Sequence, residues 1–164
     1  MFRALSLTLA MLTGACVGPL FVERDAMLWH RSGTFAVPDL AGSGREPGAW
    51  MRVEIDGAQI AFSSQDGRVI AVSSWCDEDQ QPLDVENRHL WLGLPSGDRQ
   101  RRRVQVAGVP AIETTGLSSG VRIQTVVVEA GDCTVDLAYA AREGQHGTSA
   151  FERFLGGVRV RREL

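Results

Sequence analysis

The sequence contains no lysine, so all 17 of its Lys and Arg positions are arginine. This absence excludes the lysine of P-loop nucleotide sites and any lysine Schiff base. The chain also has no C-x-x-C pair, which argues against a reactive dithiol motif. The sequence therefore assigns no catalytic residue, no metal ligand and no cofactor.

An excess of positive charge is absent as well. All 20 acidic residues lie beyond position 15, as do all arginines except Arg3, which leaves residues 16–164 with more acidic than basic side chains. A nucleic-acid-binding domain is expected to be basic, so we predict no nucleic-acid partner. A chain of this length can bury the core of one domain.

The N-terminal apolar run is too short for a membrane-spanning helix, which needs about 20 apolar residues. A basic start at Arg3 precedes an apolar stretch over residues 4–12, and small residues then lead to Cys16. This pattern predicts a secretory signal peptide over residues 1–15. The ending Gly14-Ala15-Cys16 resembles the lipobox of bacterial lipoproteins, although Thr13 stands where leucine is usual. Ordinary secretion and a cytosolic location are the alternatives.

The lipobox resemblance implies that Cys16 is lipidated and becomes the first residue of the mature protein. Acyl chains bury methylene groups in the bilayer, and more than one chain gives stable anchoring. Residues 16–27 are then expected to be the lipidated N-terminus and a tether, and residues 28–164 a single domain. Val17 in place of aspartate favours the outer membrane, with the domain facing the periplasm.

Two cysteines, Cys76 and Cys133, remain once Cys16 carries a lipid. An even pair in an oxidising compartment predicts a disulfide bond. The alternative is two separate buried thiols. No feature of the sequence places His30, His89 or His146 beside the cysteines, so metal ligation is not predicted, and none of these histidines has an evident orienting partner.

Period-two alternation and turn signals predict a succession of antiparallel strands. Asp56-Gly57, Asp66-Gly67 and Gly131-Asp132 mark tight turns between them. The predicted strands are residues 28–30, 34–37, 50–55, 60–62, 69–75, 101–106, 111–115, 121–130, 133–141 and 158–160.

Two helices are predicted among these strands. One follows the acidic run at residues 77–79, has Pro82 in its first turn and ends at Gly93. The other begins with a capping box formed by Ser149 and Glu152. The predicted fold class is α+β, with an antiparallel sheet of six to eight strands and helices packed on it.

Charged and aromatic clusters offer the remaining candidate sites. Arg99, Arg101, Arg102 and Arg103 form a basic patch that suits an anionic lipid or an acidic partner. The alternative is a charged strand edge that resists edge-to-edge pairing. The acidic run at residues 77–79 is interpreted as a solvated cluster before a helix, and the four tryptophans as core residues.

A further pattern extends over residues 132–139 and 151–154, together with Trp50, Gly57, Phe62 and Cys76. In these positions the chain resembles the PsbP/DcrB-like superfamily, which includes small exported bacterial lipoproteins. The resemblance implies an antiparallel sheet sandwiched by helices, and a function in binding proteins rather than in catalysis. It carries over no catalytic residue.

Three functions are compatible with these observations. The leading hypothesis is a non-enzymatic envelope lipoprotein that is anchored in the membrane and binds an envelope protein. The second is a lipid or small-ligand carrier for a transport system, which needs an apolar cavity between sheet and helix. The third is a periplasmic enzyme, which needs ionisable residues converging in a cleft.

Overall fold

The computed structural model describes residues 19–41, 50–76, 99–145 and 149–161. Within these ranges the chain forms two antiparallel β-sheets and one α-helix. The elements in chain order are β1 (Phe21–Arg24), β2 (Met27–His30), β3 (Phe35–Pro38), β4 (Trp50–Val53), β5 (Ile60–Ser64), β6 (Val69–Cys76), β7 (Gln100–Val106), β8 (Val109–Ser118), β9 (Val121–Ala130), β10 (Cys133–Arg142), α1 (Ser149–Gly157) and β11 (Arg159–Val160).

The larger sheet has seven strands in the order β4-β5-β6-β10-β9-β8-β7. Its β8–β9 hairpin turns through Ser119 and Gly120, which both have positive φ, of 50° and 75°. A two-residue turn of this kind matches the right-handed twist of the flanking strands. The sheet confirms the predicted antiparallel arrangement of six to eight strands.

The smaller sheet has four strands in the order β1-β2-β3-β11, so the last strand returns to pair with β3. Strand β1 lies within residues 16–27, the range expected to form a tether. The structure differs there because Phe21 packs edge-on against Phe35, with ring centroids 5.8 Å apart. Strand β1 also pairs with β2 along its whole length. Ordered structure therefore begins before residue 28.

The core is built from alternate side chains of both sheets and from α1. Phe151 and Phe154 of α1 are buried, and the Phe151 ring stacks on Tyr139 of β10 at a centroid distance of 5.5 Å. The predicted C-terminal helix is thus present and lies against the larger sheet. The helix predicted around Pro82 lies outside the described residues, whose architecture is mostly β.

An ion pair between a buried carboxylate and a half-exposed arginine joins the end of β3 to β4. Arg52 donates to the carboxylate of Asp39 at 2.6 Å, and the side chain of Asp39 is only 2% exposed. The backbone N–H of Ala41 donates to the same carboxylate at 3.1 Å. Arg52 also reaches Glu23 of β1 at 3.1 Å. The hydrogen bond to Asp39 is the main reason that the pKa of Arg52 is raised.

Candidate functional site

The disulfide bond lies at the end of the β6–β10 ladder. Cys76 and Cys133 are direct cross-strand partners, and their sulfur atoms are joined at 2.06 Å. Cys133 is buried, whereas Cys76 is exposed to solvent. The structure thus contains the disulfide that the cysteine count predicts, with one of its two residues accessible from outside.

His30, the last residue of β2, lies directly beside this disulfide. Its Nδ1 and Nε2 atoms are 3.8 Å and 4.0 Å from Cys76 Sγ. The imidazole stacks on Phe35 with a centroid distance of 4.8 Å, and Phe21 packs edge-on against it at 5.2 Å. No feature of the sequence predicts that His30 lies near the cysteines, and that expectation is corrected here. The pairing of β2 with β1 and β3 brings the ring to this position.

A short chain of hydroxyl groups connects His30 to Cys133. Ser32 Oγ lies 2.7 Å from His30 Nδ1 and 2.8 Å from Thr34 Oγ1. Thr34 Oγ1 in turn lies 3.3 Å from Cys133 Sγ. The backbone N–H of Ser32 also donates to His30 Nδ1 at 3.2 Å, so the neutral ring is assigned its proton on Nε2. Ser32 therefore orients His30, although no local sequence pattern indicated such a partner.

Burial lowers the pKa of His30 below its ordinary value of 6.5, and the positive charge of Arg31 lowers it further. Desolvation disfavours the imidazolium because the charged form loses more hydration than the neutral form. His30 is consequently neutral at pH 7. A neutral imidazole has a nitrogen lone pair and is the form that binds metal ions.

A cavity of about 470 Å³ opens over the disulfide and the histidine. Gln59 forms part of its wall, where its side-chain amide pairs with both the N–H and the C=O of Ser74 at 2.9 Å. The cavity is lined by Leu20, His30, Arg31, Ser32, Gln59, Ser74 and Cys76. Small molecules therefore have a route to the exposed sulfur and to the edge of the imidazole.

A second cavity, of about 540 Å³, shares Leu20 and Gln59 with the first. Its lining alternates apolar side chains with the charged Glu23, Arg52 and Glu54. The two cavities together follow the junction where β1 and β2 meet β5 and β6.

Three arginines of the predicted basic patch lie on β7, the terminal strand of the larger sheet in the described part of the chain, and Arg99 directly precedes this strand. Arg102 forms a two-pronged ion pair with the buried Glu113 of β8, at 2.9 Å and 3.0 Å. This hydrogen bonding raises the pKa of Arg102. Arg101 also has a partner. Part of the positive charge is thus already paired, which favours the edge-protecting interpretation over a free anion-binding patch.

The described interface between α1 and the larger sheet is closely packed. Tyr139, Phe151 and Phe154 form successive ring stacks with centroid distances of 5.5 Å and 6.3 Å. All three side chains are buried. These rings fill the described part of the space that the carrier hypothesis reserves for an apolar ligand.

A small apolar surface lies at the opposite edge of the larger sheet. Val22, Met51 and Ile55 are the exposed large apolar side chains of the part of the chain that the structure describes. Met51 is on β4, the other terminal strand of this sheet, and Val22 is on β1, the terminal strand of the smaller one. The ion pair between Arg52 and Glu23 brings these two strands together. We call Val22, Met51 and Ile55 the β1–β4 surface.

Several sequence-predicted residues lie elsewhere. Trp29, Trp50 and Trp75 are half-buried at the margin of the core rather than filling it. The guanidinium of Arg68 lies 5.7 Å from the ring centre of Trp50. The following lie outside the described residues: Cys16, the acidic run 77–79, His89, Trp91 and His146. No helix of the described ranges has the length and hydropathy needed to cross a membrane.

The comparisons with known proteins concern the fold. No protein-family model matches the sequence, and no curated protein matches it. A crystal structure from Bacteroides thetaiotaomicron VPI-5482 is similar, with a TM-score of 0.52 and 12% identity, over 80% of this chain and 47% of that chain. The chain thus spans about half the length of that neighbour. The solution structure of cyanobacterial PsbP (CyanoP) from Synechocystis sp. PCC 6803 matches with a TM-score of 0.48 and 15% identity, over 91% of this chain and 99% of that chain.

Proposed function

We propose that this chain is an exported, PsbP-like lipoprotein that is held at the cell envelope through Cys16 and acts by binding a partner protein. The β1–β4 surface is the observation that carries the proposal. Met51 leaves 56% of its surface in water on a terminal strand, and Val22 on β1 and Ile55 beyond β4 are 53% and 39% exposed. An exposed apolar side chain on the terminal strand of a sheet gives an incoming strand a contact beyond its backbone hydrogen bonds.

The geometry of β4 favours a partner that binds as an extended strand. In the described part of the chain β4 pairs with β5 alone, so its other edge presents backbone donors and acceptors. A strand of another protein can add to such an edge, with its side chains contacting the flanking apolar residues. The opposite edge at β7 carries three consecutive arginines, which oppose strand addition there.

The excess of negative charge around the β1–β4 surface indicates which charge the partner should carry. Four exposed carboxylates lie on the same two segments, which hold only two arginines. An apolar strand with flanking Arg or Lys residues therefore fits best. The carboxylates are Glu23, Asp25, Glu54 and Asp56, and the arginines are Arg24 and Arg52.

Export is supported by two independent features. The first sixteen residues have the pattern of a lipoprotein signal, and the described domain contains a disulfide, which persists in oxidising compartments. The resemblance of residues 132–139 to PsbP/DcrB-like proteins adds the expectation of protein binding rather than catalysis.

Site-specific photocrosslinking in intact cells tests the proposal. A photoreactive residue in place of Met51 should give one discrete adduct, and the matched probe in place of Arg103 on the opposite edge should not. The adduct should disappear in a Val22→Asp background, because a carboxylate there adds charge to an already acidic surface.

Three outcomes would contradict the assignment. An adduct at position 103 alone would show that the partner binds at β7 instead of β4. An adduct between two copies of this chain would show that the surface mediates self-association and not the binding of another protein. Adducts that persist with Val22→Asp would separate the crosslink from the β1–β4 surface.

A further inference from the structure

We propose that the reduced form of the Cys76–Cys133 disulfide, together with His30, is a binding site for a thiophilic divalent cation such as Zn²⁺. The imidazole and the two sulfur atoms lie within 4.8 Å of one another. Two thiolates and one imidazole nitrogen are a donor set that zinc uses in proteins. Met51 pairs with Ser63 near the turn between β5 and β6, whereas Cys76 lies at the far end of β6. The metal site is therefore independent of the proposed partner surface.

The donor spacing already approaches that of a metal site. Zinc binds sulfur at about 2.3 Å and nitrogen at about 2.0 Å, so tetrahedral donors lie roughly 3.5–3.8 Å apart. Because Nδ1 is in contact with Ser32, the metal ligand is Nε2, which is 4.0 Å from Cys76 Sγ. The ring proton is then carried on Nδ1, and Ser32 Oγ at 2.7 Å accepts it. Once the disulfide is broken, rotation about the Cα–Cβ bonds lets the two sulfurs separate to the donor spacing of about 3.8 Å.

Reduction leaves the three residues in place because the strands hold them. Strands β6 and β10 pair over eight residues, from Cys76 and Cys133 to Val69 and Ala140. The position of His30 is fixed separately by its stacking on Phe35 and by the contact of Nδ1 with Ser32 Oγ at 2.7 Å. Neither contact involves the disulfide, so the reduced site remains preorganised.

The exposed side of the disulfide provides access for the reductant. A thiolate of a dithiol reductant attacks Cys76 Sγ, and the second thiol of the reductant then releases it as a cyclic disulfide. Two electrons and two protons pass to the protein, which gives two Cys–SH groups. The metal ion then displaces both thiol protons to solvent, and the sulfurs bind as thiolates together with Nε2 of His30.

The fourth coordination position is open to the cavity of about 470 Å³ that His30, Ser32 and Cys76 line. Water from this cavity can complete the tetrahedron, as in zinc sites with three protein ligands. The bound form is thus accessible to small molecules, and the oxidised form has no thiolate to offer. The site is therefore expected to bind metal only in the reduced state.

Zinc titration of the full chain tests the proposal. The Cys16→Ala chain is used so that Cys76 and Cys133 are the only thiols, and a phosphine reduces it without supplying a thiol ligand. Competition with a chromogenic chelator should give one Zn²⁺ per reduced chain with a Kd below about 1 µM, and binding at least about 100-fold weaker in the oxidised chain.

Variants separate a metal site from nonspecific thiol binding. His30→Gln should weaken binding by at least about tenfold, because it removes a ligand. Ser73→Ala is the control, since it removes a hydroxyl from the same strand as Cys76 that donates to Gly57 O rather than to the site. It should leave the affinity unchanged. Far-UV circular dichroism on each reduced chain reports whether the sheets persist.

Cobalt substitution keeps the test decisive if His30→Gln does not fold. With Co²⁺, the unmutated reduced chain should show a thiolate-to-Co²⁺ charge-transfer band with the intensity expected for two sulfur ligands. It should also show the intense visible absorption of a tetrahedral complex. Absence of stoichiometric binding, unchanged affinity in a folded His30→Gln chain, or unfolding on reduction would each overturn the proposal.

Discussion

Gly157, at the end of α1, lies directly against the ring of Pro38 on β3. A Cβ atom added to Gly157 would overlap Pro38 Cγ and would also contact its Cδ at 3.5 Å. The proline ring is rigid, so the helix would have to move away from the smaller sheet. We expect Gly157→Ala to lower the free energy of unfolding by about 1–3 kcal/mol, measured by urea denaturation.

The neighbouring glycine provides the control for this prediction. Gly156 has open space around an added Cβ, and it lies in the same helix. Gly156→Ala should stabilise the protein by about 0.5–1 kcal/mol, because alanine restricts the unfolded chain and favours helix. Equal effects of the two substitutions would contradict the role of Gly157 as a point of close approach.

The ion pair between Arg52 and Asp39 is predicted to be asymmetric. Arg52→Ala leaves a nearly buried carboxylate with the Ala41 N–H as its described donor, which should cost about 2–3 kcal/mol. Asp39→Ala leaves a guanidinium that is 47% exposed and can hydrate, so the cost should be closer to about 1 kcal/mol. Adding Asp39→Asn to Arg52→Ala should recover part of the loss; the reverse order of the single variants would refute this asymmetry.

Asp66, in the turn between β5 and β6, should make stability depend on pH. A hydrogen bond from Arg68 at 2.8 Å, followed by one from Ser64, lowers its pKa below 3.8. The unfolded chain therefore takes up this proton at higher pH than the folded chain. The stabilisation is complete above pH 3.8 and is lost as the pH falls through the lower folded value.

Unfolding of Asp66→Asn at several pH values measures this contribution. The variant should be less stable by about 0.5 kcal/mol at pH 7 and low salt, since the carboxylate is half-exposed. The difference from the unmutated protein should disappear at acid pH. Asp56→Asn, in the corresponding turn before β5, is the control, and a difference that is independent of pH would count against the prediction.

Loss of the disulfide should weaken the domain without changing the register of the sheet. The bond closes a loop with a sequence separation of 57 residues, for which the chain-entropy model gives roughly 4 kcal/mol as an upper figure. Cys76→Ser combined with Cys133→Ser should lower the free energy of unfolding toward this amount, and phosphine reduction should match it. Amide exchange along β6 and β10 checks the register, and loss of protection there would show that the bond holds the strands together.

The lipid anchor is tested by Cys16→Ala. The substitution should abolish labelling with a fatty-acid analogue and move the chain from the membrane fraction to the soluble fraction. Thr13→Leu brings the segment closer to the usual lipobox and should retain both the label and the membrane association. A label that persists in Cys16→Ala would rule out this attachment site.

The strand pattern could be predicted because local sequence dictates it. The alternation in residues 101–106 and the glycines of the Asp66-Gly67 and Gly131-Asp132 turns indicated strands and hairpins that the structure contains. The extension of order to Phe21 was not predictable locally, since β1 is stabilised by pairing with β2 and by contact with Phe35. The addition of β11 to the smaller sheet likewise depends on pairing with the distant β3.

The candidate metal site shows the same division. Composition and compartment alone indicated that Cys76 and Cys133 form a pair. The approach of His30 could not be predicted, because 46 residues separate it from Cys76 and no local pattern links them. Sequence by itself determined the strands, the turns and the cysteine pairing, which depend on neighbouring residues and residue counts. Only the tertiary structure placed an imidazole beside the disulfide, because contacts between distant segments arise when the two sheets pack together.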